Sequence, residues 1–195
     1  MRKLQPSDLL PLERYARERP EFRTRIIEHK RARQLQVGPD MTWSFEDRLT
    51  MQYQVQEILR AERIFEEAGV IQELEAYNPL IPDGRNFKVT LLIEYPDAVI
   101  RREFLAKLKG VEDRCWMRVA GFEPAFAIAD EDLERENEEK TSAVHFLRFE
   151  FSPEAVQSAL AGGALAAGVD HPAYRFSLDP MPDLNRQALI QDFLL

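Results

Sequence analysis

The spacing of apolar residues between Pro6 and Phe45 predicts two short helices followed by a hairpin. Pro6-Ser7-Asp8 and Pro20-Glu21 are typical helix starts, because proline is tolerated in the first turn and acidic groups favour the positive end of the helix dipole. Apolar and polar residues then alternate on both sides of Gly38-Pro39-Asp40. Alternation around such a turn is typical of two paired strands.

The segment from Asp47 to Ala68 carries an apolar stripe at helical spacing, formed by Met51, Val55, Ile58, Phe65 and Ala68. This spacing predicts one long helix. We expect Gly69 to end that helix or to kink it into a further short helix that reaches Tyr77.

The predicted long helix also carries a dense charged surface that includes Glu57, Arg60 and Arg63. Such surfaces are usually solvated faces with little further role. The functional alternative is a docking face, in which Arg60 and Arg63 bind acidic groups of a partner protein.

Two stretches in the second half, residues 87–130 and 144–179, show the same order of predicted elements: a strand, a helix and two further strands. Glu123-Pro124-Ala125-Phe126 and His171-Pro172-Ala173-Tyr174 stand at the same point of each stretch. The matching order favours two modules related by pseudo-symmetry. Chance similarity between common turn signals is the alternative.

These patterns together predict an α+β fold. N-terminal helices, a small hairpin and a long helix precede two pseudo-repeated strand–helix–strand–strand modules, which form mostly antiparallel sheet. We expect residues 1–195 to make a single domain. Within it, residues 1–84 form a helical part and residues 85–195 a sheet-containing part.

Composition and charge exclude several classes of protein. The chain has 195 residues, of which 45% are hydrophobic and 31% charged, as is usual for a globular protein. The formal net charge is −8. The basic N-terminal segment, from Arg2 to Arg33, lacks regularly interleaved aromatic residues, so nucleic-acid binding is not expected. No stretch is long and apolar enough for a signal peptide or a membrane span, so membrane insertion is not expected either.

The single cysteine and the absence of a phosphate-binding motif exclude several kinds of cofactor. Cys115 is the single cysteine, so the chain cannot form an internal disulfide or supply the four thiolates of an iron–sulfur cluster. This usage fits a reducing compartment, and we expect a cytoplasmic protein. No glycine-rich phosphate loop is present, so no nucleotide cofactor is expected.

Histidines are the best candidates for chemistry. His145 alternates in phase with Leu147 and Phe149, so it faces a covered side of a strand, either as a core residue or as a ligand. His171 lies in an Asp-His-Pro turn, where a structural role is the alternative. The predicted repeat places Glu123 where His171 stands, so a cleft lined by Glu123, His145 and His171 is a candidate metal or acid/base site.

The acidic segment of residues 130–140 lies between the two modules. Its density of carboxylates, with Leu133 as its apolar residue, is typical of an exposed helix or linker. We expect no chemistry there.

Several motifs together resemble a bacterial family known as DUF3501, a domain of unknown function. They are Arg19-Pro20-Glu21-Phe22-Arg23, Val37-Gly38-Pro39, Gln54-Val55-Gln56-Glu57-Ile58-Leu59-Arg60, Tyr77-Asn78-Pro79-Leu80-Ile81-Pro82, Thr141-Ser142-Ala143-Val144-His145-Phe146 and Asp170-His171-Pro172-Ala173-Tyr174. The resemblance covers nearly the whole chain. Members are often encoded beside rubrerythrin-like proteins and iron–sulfur oxidoreductase subunits, which implies a role near redox or oxidative-stress metabolism.

Two functional hypotheses follow. The first is a non-catalytic accessory protein of a redox system, whose partner is a rubrerythrin-like or iron–sulfur oxidoreductase protein docked on the long helix and the basic N-terminal segment. The alternative is a small metal-dependent or ligand-binding enzyme with a site between the two modules. A homodimer is also plausible, because a sheet with a free edge can pair with a second copy.

Overall fold

The computed structural model describes residues 2–131, 135, 137 and 139–194. Its α-helices are α1 (Leu12–Arg31), α2 (Arg48–Glu62), α3 (Glu67–Tyr77), α4 (Ala98–Lys107), α5 (Pro153–Leu160) and α6 (Asp183–Leu189). Its strands are β1 (Gln34–Gln36), β2 (Met41–Glu46), β3 (Asn86–Ile93), β4 (Cys115–Val119), β5 (Ala125–Phe126), β6 (Ile128–Ala129), β7 (Val144–Glu150), β8 (Leu165–His171) and β9 (Tyr174–Leu178). The predicted α+β class is confirmed. None of the helices in the described ranges is long and apolar enough to cross a membrane.

The N-terminal region forms one long helix, not the two short ones that its prolines predict. Only a turn of 3-10 helix covers Pro6–Asp8, and α1 then runs from Leu12 to Arg31 with Pro20 inside it. Tyr15, Phe22 and Ile26 are buried on one face of α1 and form a cluster that includes Tyr53 of α2. Because this apolar face continues on both sides of Pro20, its packing outweighs the backbone hydrogen bond that proline removes.

The long helix predicted from Asp47 to Ala68 is wrong in its length, because it breaks six residues before Gly69. Asp47 caps α2 by accepting hydrogen bonds from the N–H groups of Leu49 and Thr50. Arg63 ends α2 in the left-handed region, with φ of 56°. The chain then turns so that Ile64 packs against a buried cluster that contains Leu59 and Leu74.

The strands form two antiparallel sheets, and their inner faces share one core. The first sheet has the order β1-β2-β3-β7-β6 and the second β5-β4-β8-β9. The predicted hairpin is β1–β2, and β2 pairs with β3, so the first sheet joins the two parts of the chain that meet at residues 84 and 85. On the inner face of the first sheet, Trp43 of β2 stacks on Phe149 of β7 with ring centroids 5.3 Å apart.

Both predicted modules begin with the order strand, helix, strand, strand, and the first module adds the short strand β6. β3 pairs with β7 and β4 pairs with β8, each antiparallel, and the relation of the modules by pseudo-symmetry stays a prediction. The predicted equivalence of Glu123 and His171 fails, however. His171 pairs with Tyr174 across a two-residue turn, whereas Glu123 lies in a longer loop before Ala125, which pairs with Met117.

A buried charge network joins the end of α1 and the C-terminal segment to the first sheet. Arg33 is only 3% exposed, and its guanidinium donates to the carbonyl oxygens of Phe45, Glu46 and Ala188. It also donates to a carboxylate oxygen of Asp192 at 2.5 Å. Burying a guanidinium is costly unless its donors are satisfied, so these contacts hold the segment after α6 against β2.

Asp192 provides a test of this network. Burial raises the pKa of the Asp192 carboxyl to about 6, with Arg33 opposing the rise and Asp47 adding to it. A raised carboxyl pKa stabilises the fold below the ordinary pKa, and that contribution is lost as the pH rises through the folded value. The difference in unfolding free energy between the unchanged protein and Asp192→Asn should therefore change with pH. As the pH rises from 4 to 7, the unchanged protein should lose up to about 3 kcal/mol relative to the variant.

Urea unfolding at a series of pH values measures this difference. Asp183→Asn is the matched control, because Asp183 is exposed near the same end of the chain, and its effect should not change in the same way. A stability difference for Asp192→Asn that is independent of pH would contradict the prediction.

Candidate functional site

His145 lies in a polar cluster at the junction of the two modules. Strand alternation turns its side chain towards the core, where it is 0% exposed. Its Nδ1 lies 2.6 Å from a carboxylate oxygen of Asp130, a residue just after β6 whose φ is 49°. A non-glycine residue in this region is uncommon and costs free energy. The backbone therefore holds the Asp130 carboxylate against the imidazole at an energetic cost.

The other ring nitrogen of His145 faces a group of oxygen atoms. Nε2 lies 3.0 Å from the Thr141 hydroxyl and 3.1 Å from the Ser142 carbonyl oxygen. A carboxylate oxygen of Glu112 is 3.9 Å away, and the Thr141 hydroxyl donates to that carboxylate at 3.4 Å. Imidazole nitrogen, carboxylate, hydroxyl and carbonyl oxygen thus converge from both modules.

Asp130 decides how the imidazole is used. A separation of 2.6 Å is typical of a charge-assisted hydrogen bond. It is shorter than the roughly 3 Å between neighbouring ligands of one ion with bonds of about 2.1 Å. We infer that Nδ1–H donates to Asp130, which leaves Nε2 directed at Glu112, Thr141 and Ser142. Among the described residues, Glu112, Asp130 and His145 form the group whose ligand atoms lie within 4.8 Å of one another.

The contacts of Thr141, His145 and Asp130 also have the order of a nucleophile–base–acid triad. Two observations disfavour that chemistry. Thr141 is only 1% exposed, and the Glu112 carboxylate lies beside the hydroxyl. A carboxylate there would repel the negative charge that develops during acyl transfer, where donors are needed instead. The same carboxylate would attract a cation.

A cavity of about 500 Å³ lies on the opposite face of β7. Tyr77 and Leu80 line it from α3 and the turn that follows, and Lys88, Phe146 and Arg148 line it from the first sheet. Arg135 connects the cavity to the polar cluster, because it donates to Asp130 at 3.2 Å and its guanidinium lies 4.6 Å from the Phe146 ring centroid.

The predicted cleft of Glu123, His145 and His171 is not formed by the contacts of these residues. His171 is buried elsewhere: its Nε2 lies 3.0 Å from the Lys109 carbonyl oxygen and its Nδ1 accepts from the Ala173 N–H. Glu123 is exposed in the loop before β5. Glu112 and Asp130 stand beside His145 where Glu123 and His171 were expected.

Glu57, one of the three residues of the predicted docking face, is bonded within the chain. The Glu57 carboxylate accepts two hydrogen bonds from Arg19 and one from Tyr15, so it joins α1 to α2. These contacts lower the pKa of Glu57 to about 2, with the Arg19 hydrogen bond as the largest cause. Arg60 and Arg63 are exposed, and their predicted role in docking stays a prediction.

Sequence reasoning missed Glu112, Asp130 and Thr141. Asp130 opens the acidic segment in which no chemistry was expected, and its carboxylate contacts His145. Residues 132–134, 136 and 138 of the segment lie outside the described residues. The closeness of Thr141 and His145 in the sequence was one available signal. It was missed because the predicted strand begins at residue 144 and does not include Thr141. Glu112 had no such local signal.

Comparison with known proteins places the chain in a family. A protein-family model described as a protein of unknown function, DUF3501, matches residues 3–193. The chain belongs to the DUF3501 family. A solved structure of a protein of unknown function from Burkholderia pseudomallei is similar to it, with 45% identity and a TM-score of 0.90 over 98% of this chain and 99% of that one. No curated protein matches the sequence.

The cysteine of this DUF3501 chain lies in the core. Cys115 is buried at the start of β4, and its thiol donates to the Val111 carbonyl oxygen at 3.4 Å. Burial raises the pKa of the thiol well above its ordinary value, and the nearby Glu112 adds to the rise. Since the thiolate is the reactive form, this cysteine is not built for thiol redox chemistry.

We therefore expect Cys115 of the DUF3501 chain to resist labelling by Ellman's reagent at pH 8 in the native protein. Labelling should become fast in urea, where the thiol is exposed and its pKa returns to about 8.5. Absorbance at the wavelength of the released thiolate gives both rates. Equal rates in the native and the unfolded protein would contradict the buried placement.

Proposed function

We propose that the protein binds a divalent transition-metal ion between the two modules, with His145 Nε2 and Glu112 as the principal ligands and Thr141 and Ser142 as further oxygen donors. The observation that carries this proposal is the set of separations around Nε2, between 3.0 and 3.9 Å. These are close to the spacing of atoms that share one ion. This proposal keeps the hypothesis of a metal-dependent site that includes His145. Glu112 and Asp130 take the places beside it that the sequence analysis gave to Glu123 and His171.

Asp130 would orient the imidazole by accepting a hydrogen bond from the ring nitrogen that does not bind the metal. A histidine ligand that donates its other N–H to a carboxylate is held in one tautomer and one orientation, and becomes a better donor to the metal. Asp130 supplies that carboxylate and is itself held by the Phe146 N–H at 2.9 Å and by Arg135. The imidazole–carboxylate–oxygen donor set suits Zn²⁺, Fe²⁺ or Mn²⁺ rather than a soft ion such as Cu⁺.

Charge and access are consistent with a working site. The Asp130 charge is already paired with Arg135, and a divalent ion at Nε2 would lie beside the carboxylate of Glu112, which attracts it. The side chains of Glu112 and Asp130 keep 10% exposure, while His145 has none. Any access to the cluster would therefore be along Glu112 and Asp130, where a water or substrate atom would complete the coordination, as it does in catalytic centres.

The accessory role in a redox system has less support. It rests on the resemblance stated above and on the exposed Arg60 and Arg63, because Glu57 is occupied by Arg19 and Tyr15. No contact among the described residues favours a particular partner protein. The metal site has a defined donor set, and it is the function that the geometry supports best.

Metal titration tests the proposal. After dialysis against chelator, the full chain should bind one equivalent of Zn²⁺ by isothermal titration calorimetry, and Co²⁺ should give visible absorption bands. At a hundredfold excess over Kd the ion should stabilise the fold by about 2.7 kcal/mol, because it binds only the folded chain. Glu112→Gln should abolish saturable binding, and Asp130→Asn should weaken it about 10–100-fold.

His171→Ala is the matched control, since His171 is a second largely buried histidine that lies outside the cluster, and it should keep the affinity of the unchanged protein. Circular dichroism melts of each variant without metal separate lost binding from lost folding. The proposal is overturned if the unchanged protein shows no saturable binding, or if folded Glu112→Gln binds as tightly as His171→Ala.

A further inference from the structure

Two cations stand directly opposite each other on neighbouring strands. Lys88 of β3 and Arg148 of β7 are register partners, and both line the cavity that borders α3. Like charges at paired positions destabilise a sheet unless other groups offset them. The pair therefore requires compensation from its surroundings.

Arg148 has that compensation within the chain. Its guanidinium donates two hydrogen bonds to Glu131 and one to Glu150, each at 2.8 Å. Both oxygens of Glu131 are engaged in this way. The acid whose charge acts most on Lys88 is thus already hydrogen-bonded to Arg148.

Lys88 lacks a comparable contact. No described residue makes a hydrogen bond or an ion pair with its ammonium group, and Glu131 and Asp83 act on it only at longer range. Burial lowers the pKa of Lys88, and the charge of Arg148 lowers it further. A partly buried cation that faces a cavity and has no direct partner leaves a position for an anion.

The rest of the cavity indicates what the remainder of that anion would be. Tyr77, Leu80 and Phe146 supply aromatic and aliphatic walls, Glu73 adds a carboxylate on the side of α3, and the volume is about 500 Å³. Small-molecule sites are typically about 300–1,000 Å³, mostly apolar, with a few polar groups that orient the ligand. A carboxylate near Lys88 with an aromatic body against these walls would match both features.

We propose that this cavity binds a small organic carboxylate, with Lys88 as the anion-binding group and the walls of Tyr77, Leu80 and Phe146 as the apolar subsite. The site is separate from the proposed metal centre, which lies on the inward face of β7. It does not depend on that centre being occupied.

The probe is 2-naphthoate, with 2-naphthylmethanol as its uncharged counterpart, titrated into the full chain at pH 7 and followed by ligand-observed NMR. We expect saturable one-to-one binding of naphthoate with Kd of about 1 mM or tighter, the range for a ligand of this size. The alcohol and the Lys88→Met variant should each weaken binding at least about tenfold, because the charge-assisted contact is lost.

Two further variants sharpen the test. Lys107→Met is the matched control, since Lys107 is exposed on α4 and pairs with Glu103, and it should bind naphthoate unchanged. Ala76→Phe should block binding, because Ala76 is an exposed residue of α3 at the cavity wall, and a melt of the variant checks that it is folded.

The proposal is overturned if naphthoate fails to saturate well above the expected range. Equal binding of the alcohol, or unchanged binding by Lys88→Met or by folded Ala76→Phe, would overturn it too. Glu112→Gln separates this inference from the proposed function, because that variant should lose Zn²⁺ and keep naphthoate.

Discussion

The need to satisfy a buried guanidinium organises the structure. Arg33 follows α1, and its donors reach the end of β2, the last turn of α6 and Asp192 near the C-terminus. The same charge lies 3.4 Å from Asp47, which caps α2 and contacts His29 of α1 at 2.6 Å. Removing one partner from such a network leaves an uncompensated charge in the core, which costs about 3–5 kcal/mol. The end of α1, the end of β2 and the C-terminal segment are therefore fixed together.

The register of the first sheet carries this constraint to both candidate sites. Arg33 holds β2 in place. The position of β2 sets the register of β3, and β3 in turn sets the register of β7. Alternation along β7 then sends His145 inward to the polar cluster, and Phe146 and Arg148 outward to the cavity. Asp130 spans the two faces, since one carboxylate oxygen contacts His145 and the other accepts from the Phe146 N–H and from Arg135. A metal ion and an organic anion would thus occupy opposite faces of one strand.

Sequence reasoning predicted part of each site and missed the rest for identifiable reasons. His145 was found because strand alternation is local and its apolar neighbours reveal the buried phase. Asp130 was dismissed because a carboxylate among many carboxylates has no distinguishing pattern until the backbone turns it towards a partner. Glu123 was chosen by matching its Pro-Ala motif to that of His171, but one motif forms a two-residue hairpin turn and the other follows a longer loop.

The sequence by itself determined the α+β class, the β1–β2 hairpin, the order of elements in the two modules and the DUF3501 family, because these depend on spacing within short stretches and on motifs along the whole chain. Tertiary structure decided that α1 continues through Pro20, that the chain turns at Arg63, and that Glu112 meets His145. It also placed Lys88 opposite Arg148. These outcomes depend on contacts between residues far apart in the chain, where packing free energy outweighs local preference and no local pattern records which side chains meet.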